Sequence, residues 1–525
     1  MTAMIVCPQP QAAEAGLAVL RAGGNAIDAA VTTALVQGVI DPMMCGIGGS
    51  GVMLVHLAGE EGLARQEVIE FYARAGSGVR DNQWEHLFIR EAADRYGYVL
   101  EGWVNDCGYQ SVGVPGTVAG LADALRRHGT LSWAEALQPG IEAARRGMQV
   151  TGNFRNYLVT DYGPDVAPND QRIQWTPESK RIYRKNGELY SLGETIANPD
   201  LARTYERLAE AGPEDFYAGE IAGAIAADFQ ARGGFVGMED LATYRPRVSQ
   251  PLAGSYRGRR LLTVGPPAGG MTLLQMLNYL EGFDMAALGW PSVESAMRRV
   301  EAMGWAMAER EQHLTDPLFT SVPVAELTAK DYAAAARAAH DSSNTTHVCV
   351  VDGSGNAVSM THTLGSASGV VTPGLGFMWN NYLNCFDPRP GRVNSLAAGK
   401  TRVTMMAPTM VMAGDRPEVV LGAPGGTRIV NGVLQTLLNL IDHGMTPMEA
   451  VSAPRVDFQG ETVQAELRMP AEVLAALREL GFSVRQRPLS YDSYFSRVQV
   501  IQAGVGGRLI GASDPRGDGG IALSV

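Results

Sequence analysis

Between Thr346 and Thr363 the chain carries two runs of β-branched and apolar residues, Thr346 to Val351 and Ala357 to Thr363, joined by Asp352-Gly353-Ser354-Gly355-Asn356. Such runs on either side of a Gly/Asn/Asp turn predict an antiparallel hairpin. A second hairpin follows, Thr409 to Ala413 and Pro417 to Leu421, around Gly414-Asp415. The loop Gly422-Ala423-Pro424-Gly425-Gly426 then leads into a helix from about Ile429 to Asp442. Before residue 345 helical periodicity prevails. Helices are expected over 11–22 and 26–37, separated by Gly23-Gly24 with Asn25 as cap, and over much of 115–150, 200–230, 271–281, 291–312 and 329–339. Residues 152–199 are polar and rich in Asn, Asp and Pro, so loops with short elements are expected there. Strands gathered behind a largely helical half predict α+β layers and not alternating βαβ units. No repeat and no Gly/Ser linker marks a domain boundary.

Forty-six per cent of the residues are hydrophobic and 19% charged, which suits a globular protein with a large core. The net charge of −12 argues against nucleic acid or an anionic membrane as partner, since both attract basic surfaces. The first residues, Met1-Thr2-Ala3-Met4-Ile5-Val6-Cys7-Pro8, lack the basic and apolar regions of a secretory signal. No run approaches the roughly 18 apolar residues that span a bilayer. The cysteines Cys7, Cys45, Cys107, Cys349 and Cys385 are odd in number and scattered, with no CxxC spacing, and HExxH is absent. These features lead us to expect a cytoplasmic protein with free thiols, no metal and no cofactor.

Gly46-Ile47-Gly48-Gly49-Ser50-Gly51 fits GxGxxG, but a dinucleotide fingerprint needs a strand before it and a helix after it. Here the expected order is helix, loop, strand, so a close-packed turn is the better reading. Asn344-Thr345-Thr346 is a formal glycosylation sequon, and by itself Thr-Thr opening a strand is only β-propensity. No GxSxG elbow offers another nucleophile.

The run from Thr345 to Gly365, with Pro424-Gly425-Gly426-Thr427-Arg428 beyond it, resembles the γ-glutamyltransferase family of N-terminal-nucleophile (Ntn) hydrolases. Similar matches run in order along the chain: Glu14-Ala15-Gly16, Gly23 to Ala30, Cys45 to Gly49, Val114 to Thr117 and Pro199 to Ala202. Phe216-Tyr217, Pro266 to Gly270, Leu273 to Leu277, Asp316-Pro317 and Val322 to Val324 continue the series. The resemblance implies a four-layer αββα sandwich and self-cleavage between Asn344 and Thr345. It makes Thr345 the new N-terminus and nucleophile, Thr363 its supporting hydroxyl, and Gly425 and Gly426 the oxyanion-hole glycines. The chemistry is coherent. A hydroxyl needs a base to take its proton. Cleavage frees an α-amine on the same residue, with a pKa near 8. Glycine N–H groups at a helix start suit a developing oxyanion.

Where the family reads the γ-glutamyl zwitterion, this sequence departs from it. After Val68-Ile69-Glu70-Phe71 the arginine position holds Tyr72, with Arg74 two places on. The paired serines correspond to Thr404 and Met405, and the family's Asn, Gln and Asp fall at Gly365, Tyr382 and Cys385. Unless Arg74, Arg402 or Asp387 substitutes, a free γ-glutamyl group loses several charge-assisted hydrogen bonds, each about 1.5–3 kcal/mol. The stretch Asp387 to Lys400 also looks short for the lid of some members, implying an open cleft. The expected protein is therefore a self-processing amidohydrolase or acyltransferase acting on a small-molecule amide through an acyl-enzyme on Thr345. Water or an amine would be acceptor, and γ-glutamyl specificity would be altered, as in the cephalosporin-acylase-like and oxamate-amidohydrolase branches. Its two chains, 1–344 and 345–525, would interweave as a heterodimer, with higher oligomers left open. The alternatives are a true γ-glutamyl hydrolase or transpeptidase with a rewired pocket, and an inactive homologue that binds in the same cleft.

Overall fold

The computed structural model describes residues 2–59, 63–92, 97–161, 163–336, 346–517 and 519–523. Their two large sheets are antiparallel. The first runs Arg247–Ser249, Arg65–Phe71, Ser50–Leu57, Ala357–Thr363, Thr346–Val351, Met4–Cys7 and Gly520–Leu523. The second runs Leu252–Tyr256, Arg259–Thr263, Thr409–Ala413, Arg416–Gly422, Gln499–Ala503 and Leu509–Ser513. Each sheet mixes strands from before and after residue 345, so both segments share each sheet.

Side-chain alternation sorts the layers. Val348, Val350, Val358 and Met360 join Ile27, Val31 and Leu121 in a core between the first sheet and the helices Pro10–Arg21, Ala26–Ile40 and Thr117–His128. The opposite faces meet between the sheets, where Val6, Val52, Leu54 and Cys349 pack with Leu262, Met410, Val420 and Ile501. A third core joins Leu261, Val411, Val419 and Val500 to the helices Gly270–Leu280, Val293–His313 and Arg428–Ile441. The architecture is helix, sheet, sheet, helix: the αββα sandwich.

Local rules place the pieces that carry the site. Asn25 caps Ala26–Ile40 by accepting from the backbone N–H groups of Ile27 and Asp28, and Asp28 returns a bond to the Asn25 N–H. The hairpins fall where the turns predicted them, at Thr346–Val351 with Ala357–Thr363 and at Thr409–Ala413 with Arg416–Gly422. The glycine run is indeed a close-packed turn before a strand. A Cβ at Gly49 would lie 2.3 Å from the Thr363 carbonyl oxygen, and one at Gly51 2.5 Å from that of Thr361. Met4–Cys7, which pairs with Thr346–Val351 on one side and Gly520–Leu523 on the other, gave no sequence signal because four residues are too few to display a period.

The inter-sheet layer is not purely apolar. Ser359 Oγ donates to the Leu421 carbonyl at 2.9 Å, and His347 Nδ1 shares a hydrogen bond of 2.8 Å with Thr361 Oγ1. On the helix side, His362 Nε2 lies 2.8 Å from Gln37 Oε1. Burial pushes the pKa of both imidazoles down to about 3, and in His347 the neighbouring His362 adds to the shift. The unfolded chain therefore binds more protons below pH about 6.5, so this contribution to stability is complete above that pH and is lost as pH falls toward 3. The unfolding free energy from urea titration should drop between pH 6.5 and 4.5, by up to about 1.4 kcal/mol per pH unit for each histidine. His362→Gln should flatten that slope, and an equal slope in the variant would contradict the assignment. Gly49→Ala should lower the unfolding free energy from urea titration at pH 7 by about 1–3 kcal/mol, because backbone must move to admit the methyl group.

Candidate active site

Thr346 pairs with His362 in the first sheet. Asn344 and Thr345 lie outside the described residues, but covalent geometry holds the Thr345 Cα about 3.8 Å from that of Thr346. Thr363 is buried and shares the inter-sheet face with Ser359 and Thr361. Its Oγ1 accepts the Gly365 N–H at 2.8 Å, which leaves its own proton for an acceptor on that face.

The glycine turn approaches from the second sheet. Leu421 meets Ser359, and the next residue, Gly422, passes so close to His347 that a Cβ there would lie 2.3 Å from the imidazole Cε1. The strand thus advances along the hairpin toward the level of Thr363 and delivers Pro424-Gly425-Gly426. Gly425 has φ +145° and Gly426 φ +61°, both in the region that disfavours side chains. Ser496 fixes the turn from behind: its Oγ donates to the Pro424 carbonyl at 2.8 Å, and a Cβ at Gly425 would meet its Cα at 2.8 Å. The helix Arg428–Ile441 begins two residues later, so the turn sits at a positive helix terminus.

The substituted positions form a connected buried group. Tyr382 is fully buried, and Arg402 stacks on its ring with the guanidinium carbon 4.0 Å from the centroid. Burial raises the Tyr382 pKa, while Arg402 and Ser50 oppose that shift. Tyr72, in the inter-sheet core, is likewise raised by burial, then by Glu70 and Tyr382. Both phenols are therefore neutral hydrogen-bonding groups. Arg402 Nη1 donates to Asn384 Oδ1 at 2.5 Å and lies 2.9 Å from Cys385 Sγ. Gly365 has φ +76°, and a Cβ there would fall 2.2 Å from Asn381 Oδ1 and 3.6 Å from Arg402 Nη2. A side chain at 365 is thus excluded by Asn381, which accepts the Ser366 N–H, and the nearby charge is a guanidinium. Thr404 and Met405 are buried against the Pro266–Gly270 turn, where Thr404 N–H donates to the Pro267 carbonyl at 3.0 Å.

The other charged candidates are engaged elsewhere. Arg74 donates to the Arg245 carbonyl at 2.8 Å and covers the Tyr244 ring. Asp387 binds the Arg389 guanidinium through both oxygens at 2.8 Å. Asp106 pairs with buried Arg172 at 2.7 Å and accepts from Asn381. Asp387 to Lys400 forms a compact loop tied by Lys400 Nζ to the Val393 and Ser395 carbonyls at 3.0 Å. Gly365 and Asn384 line a cleft of about 990 Å³ that also touches Ser366, Phe154, Tyr157, Arg428 and Tyr494. Asn381, Asn384 and the Asp106–Arg172 pair were invisible to sequence reasoning, because isolated amides and a pair 66 residues apart carry no spacing signal. Among the described residues, no group of three or more His, Cys, Asp or Glu side chains is placed to hold a metal ion. No helix among them is long and apolar enough to cross a membrane.

Known proteins resemble the chain over nearly its whole length. The family model described as gamma-glutamyltranspeptidase matches residues 12–524. An acylase ACY 1 proenzyme of Pseudomonas sp. (strain V22) is 37% identical, covering 98% of this chain and 92% of the relative. A glutathione hydrolase proenzyme of Escherichia coli (strain K12) is 33% identical, covering 98% and 90%. The crystal structure of cephalosporin acylase from Bacillus halodurans superposes with a TM-score of 0.88 at 29% identity, over 99% of this chain and 95% of that one. A matching family model, relatives of these activities and the αββα sandwich converge, and the chain belongs to the γ-glutamyltranspeptidase family of Ntn hydrolases, as an amidohydrolase/acyltransferase.

Proposed function

We propose that the chain cleaves itself before Thr345 and then hydrolyses amides whose acyl group ends in a single negative charge. The freed Thr345 amine takes the hydroxyl proton as Oγ1 attacks the scissile carbonyl. Thr363 donates its hydrogen toward the nucleophile, and the Gly425–Gly426 backbone receives the oxyanion. The C–N bond then breaks, the amine leaves with the proton, and water releases the acyl group by the reverse path. Support comes from the strand entering the sheet at Thr346, from the Thr363 hydroxyl and from the glycine turn advancing to its level.

The observation that carries the acyl preference is the Arg402 guanidinium beside Gly365, 3.6 Å from where a Cβ would stand. It offers a carboxylate a planar, charge-assisted partner. A γ-glutamyl group brings an α-amine as well, and the nearby carboxylates Asp106 and Asp387 are bound to Arg172 and Arg389. Desolvating an ammonium beside a guanidinium without a counter-charge is unfavourable.

Purified protein should run as two bands, the smaller with Thr345 at its N-terminus. Thr345→Ala should abolish cleavage and turnover together, and Thr345→Ser should keep some of each; an active protein starting only at Met1 or Thr2 would refute the mechanism. Glutaryl-4-nitroanilide, which is the γ-glutamyl compound without its amine, should exceed γ-glutamyl-4-nitroanilide in kcat/KM by about tenfold or more. Arg402→Gln should remove most of that activity. A clear γ-glutamyl preference would return the enzyme to the transpeptidase reading.

A further inference from the structure

A second hollow, of about 520 Å³, shares no residue with the cleft. Trp290, Pro291, His443, Met445 and Pro454 form most of its wall, and its size suits a small ligand. Behind this wall stands Arg299, fully buried on the helix Val293–His313. Its guanidinium carbon lies 3.8 Å from the centroid of the Trp290 ring. Nη2 donates to His443 Nε2 at 3.1 Å and to Asn439 Oδ1 at 3.3 Å. Nε and Nη1 have no hydrogen-bond partner among the described residues. Asp442 is the acid whose charge acts on it most strongly, but Arg257 Nε and the Tyr256 hydroxyl, each at 2.9 Å, already bind that carboxylate. Burial pushes the Arg299 pKa down to about 9, which leaves it a cation at pH 7. A buried cation without an anion is a costly arrangement.

The arginine also fixes what the hollow offers a ligand. A guanidinium only donates, so His443 accepts through Nε2 and, when neutral, carries its proton on Nδ1. Burial, and then the Arg299 charge, hold the His443 pKa below its ordinary value, so the neutral ring prevails at pH 7. Nδ1 has no partner among the described residues and is not sealed from solvent, which leaves its N–H as a donor at the hollow. The nearby carbonyls are already committed. That of Ser452 accepts from Arg468 at 2.7 Å, that of Ala453 from Arg516 at 2.9 Å, and that of Pro454 from Trp290 Nε1 at 3.1 Å. Glu449 is the acid at the hollow, exposed, with Oε2 accepting the Thr446 N–H and hydroxyl at 2.8 and 2.7 Å.

We infer that this hollow binds a small carboxylate carried on a flat apolar body, with benzoate as its simplest example. The carboxylate accepts the His443 Nδ1–H, and the Arg299 charge on the far side of the imidazole strengthens that bond. The body lies against Trp290, Pro291 and Pro454, where it is removed from water. An ammonium finds a cation behind the wall and its carbonyls in use. A bare anion such as acetate forgoes the apolar contact. The site stands apart from the acyl-transfer machinery, so it does not depend on which amide the cleft cleaves. A ligand that supplies the missing negative charge binds the folded state alone and stabilises it.

The test is calorimetry at pH 7 on the purified full chain, whether or not it has cleaved itself, with benzoate, acetate and neutral benzamide. Benzoate should bind saturably and at least about tenfold more tightly than either of the others. His443→Phe and Arg299→Met should each weaken benzoate about tenfold and bring it level with benzamide. His443 is only half-buried, and Arg299→Met removes an unpaired buried charge, so both variants should fold. Benzoate should also raise the melting temperature of the wild type and leave that of either variant unchanged. Equal benzoate affinity in the wild type and both variants would assign the binding to the arginines of the main cleft and overturn the inference. Equal affinity for acetate and benzoate, or no saturable binding to the wild type, would overturn it as well.

Discussion

The strand Ala357–Thr363 is gripped on both sides by backbone that carries no side chain. On its sheet edge Gly49 and Gly51 lie against the carbonyls of Thr363 and Thr361, and across the inter-sheet layer Gly422 lies against His347 of the paired strand. Each contact is closer than a Cβ would allow. Because protein interiors transmit displacement and do not absorb it, these approaches fix the height of Thr363 relative to the Gly425–Gly426 turn. Ser359, bound to the Leu421 carbonyl, sets the register of one sheet over the other. Thr363 belongs to the first sheet and the Gly425–Gly426 turn follows a strand of the second, so this clasp is what holds the two in register.

Charge is distributed with equal consequence. The protein is acidic overall, at −12, yet Arg402 stacks on the Tyr382 ring and Arg428, Arg485, Arg487 and Arg497 line the cleft. Nearby carboxylates are held in ion pairs of their own, as Asp106 is by Arg172 and Asp387 by Arg389. At 365 Asn381 occupies the space that a side chain would need.

Much of this was legible beforehand. The hairpin turns, the Asn25 cap and the helix after Gly426 rest on local rules that tertiary contacts reinforced. The reading of Gly46–Gly51 as a packed turn followed from element order alone. Arg74 and Arg402 show the limit. Both lie near substituted positions in sequence, but Arg74 turns to the Arg245 carbonyl and the Tyr244 ring, while Arg402 stacks on Tyr382. Nothing local distinguishes them, since the difference lies in which ring each guanidinium finds.

The sequence by itself determined the family and the layered α+β composition, and it raised the expectation that Thr345, Thr363, Gly425 and Gly426 form the machinery and that γ-glutamyl contacts are altered. Those properties reside in residue identity and short-range spacing. Tertiary structure alone decided that Met4–Cys7 lies inside the first sheet, that Asn381 fills the place of a side chain at 365, and that Arg428, Arg485, Arg487 and Arg497 share one wall. Each of these depends on the meeting of segments distant in the chain, and no local propensity encodes which surfaces will be buried together.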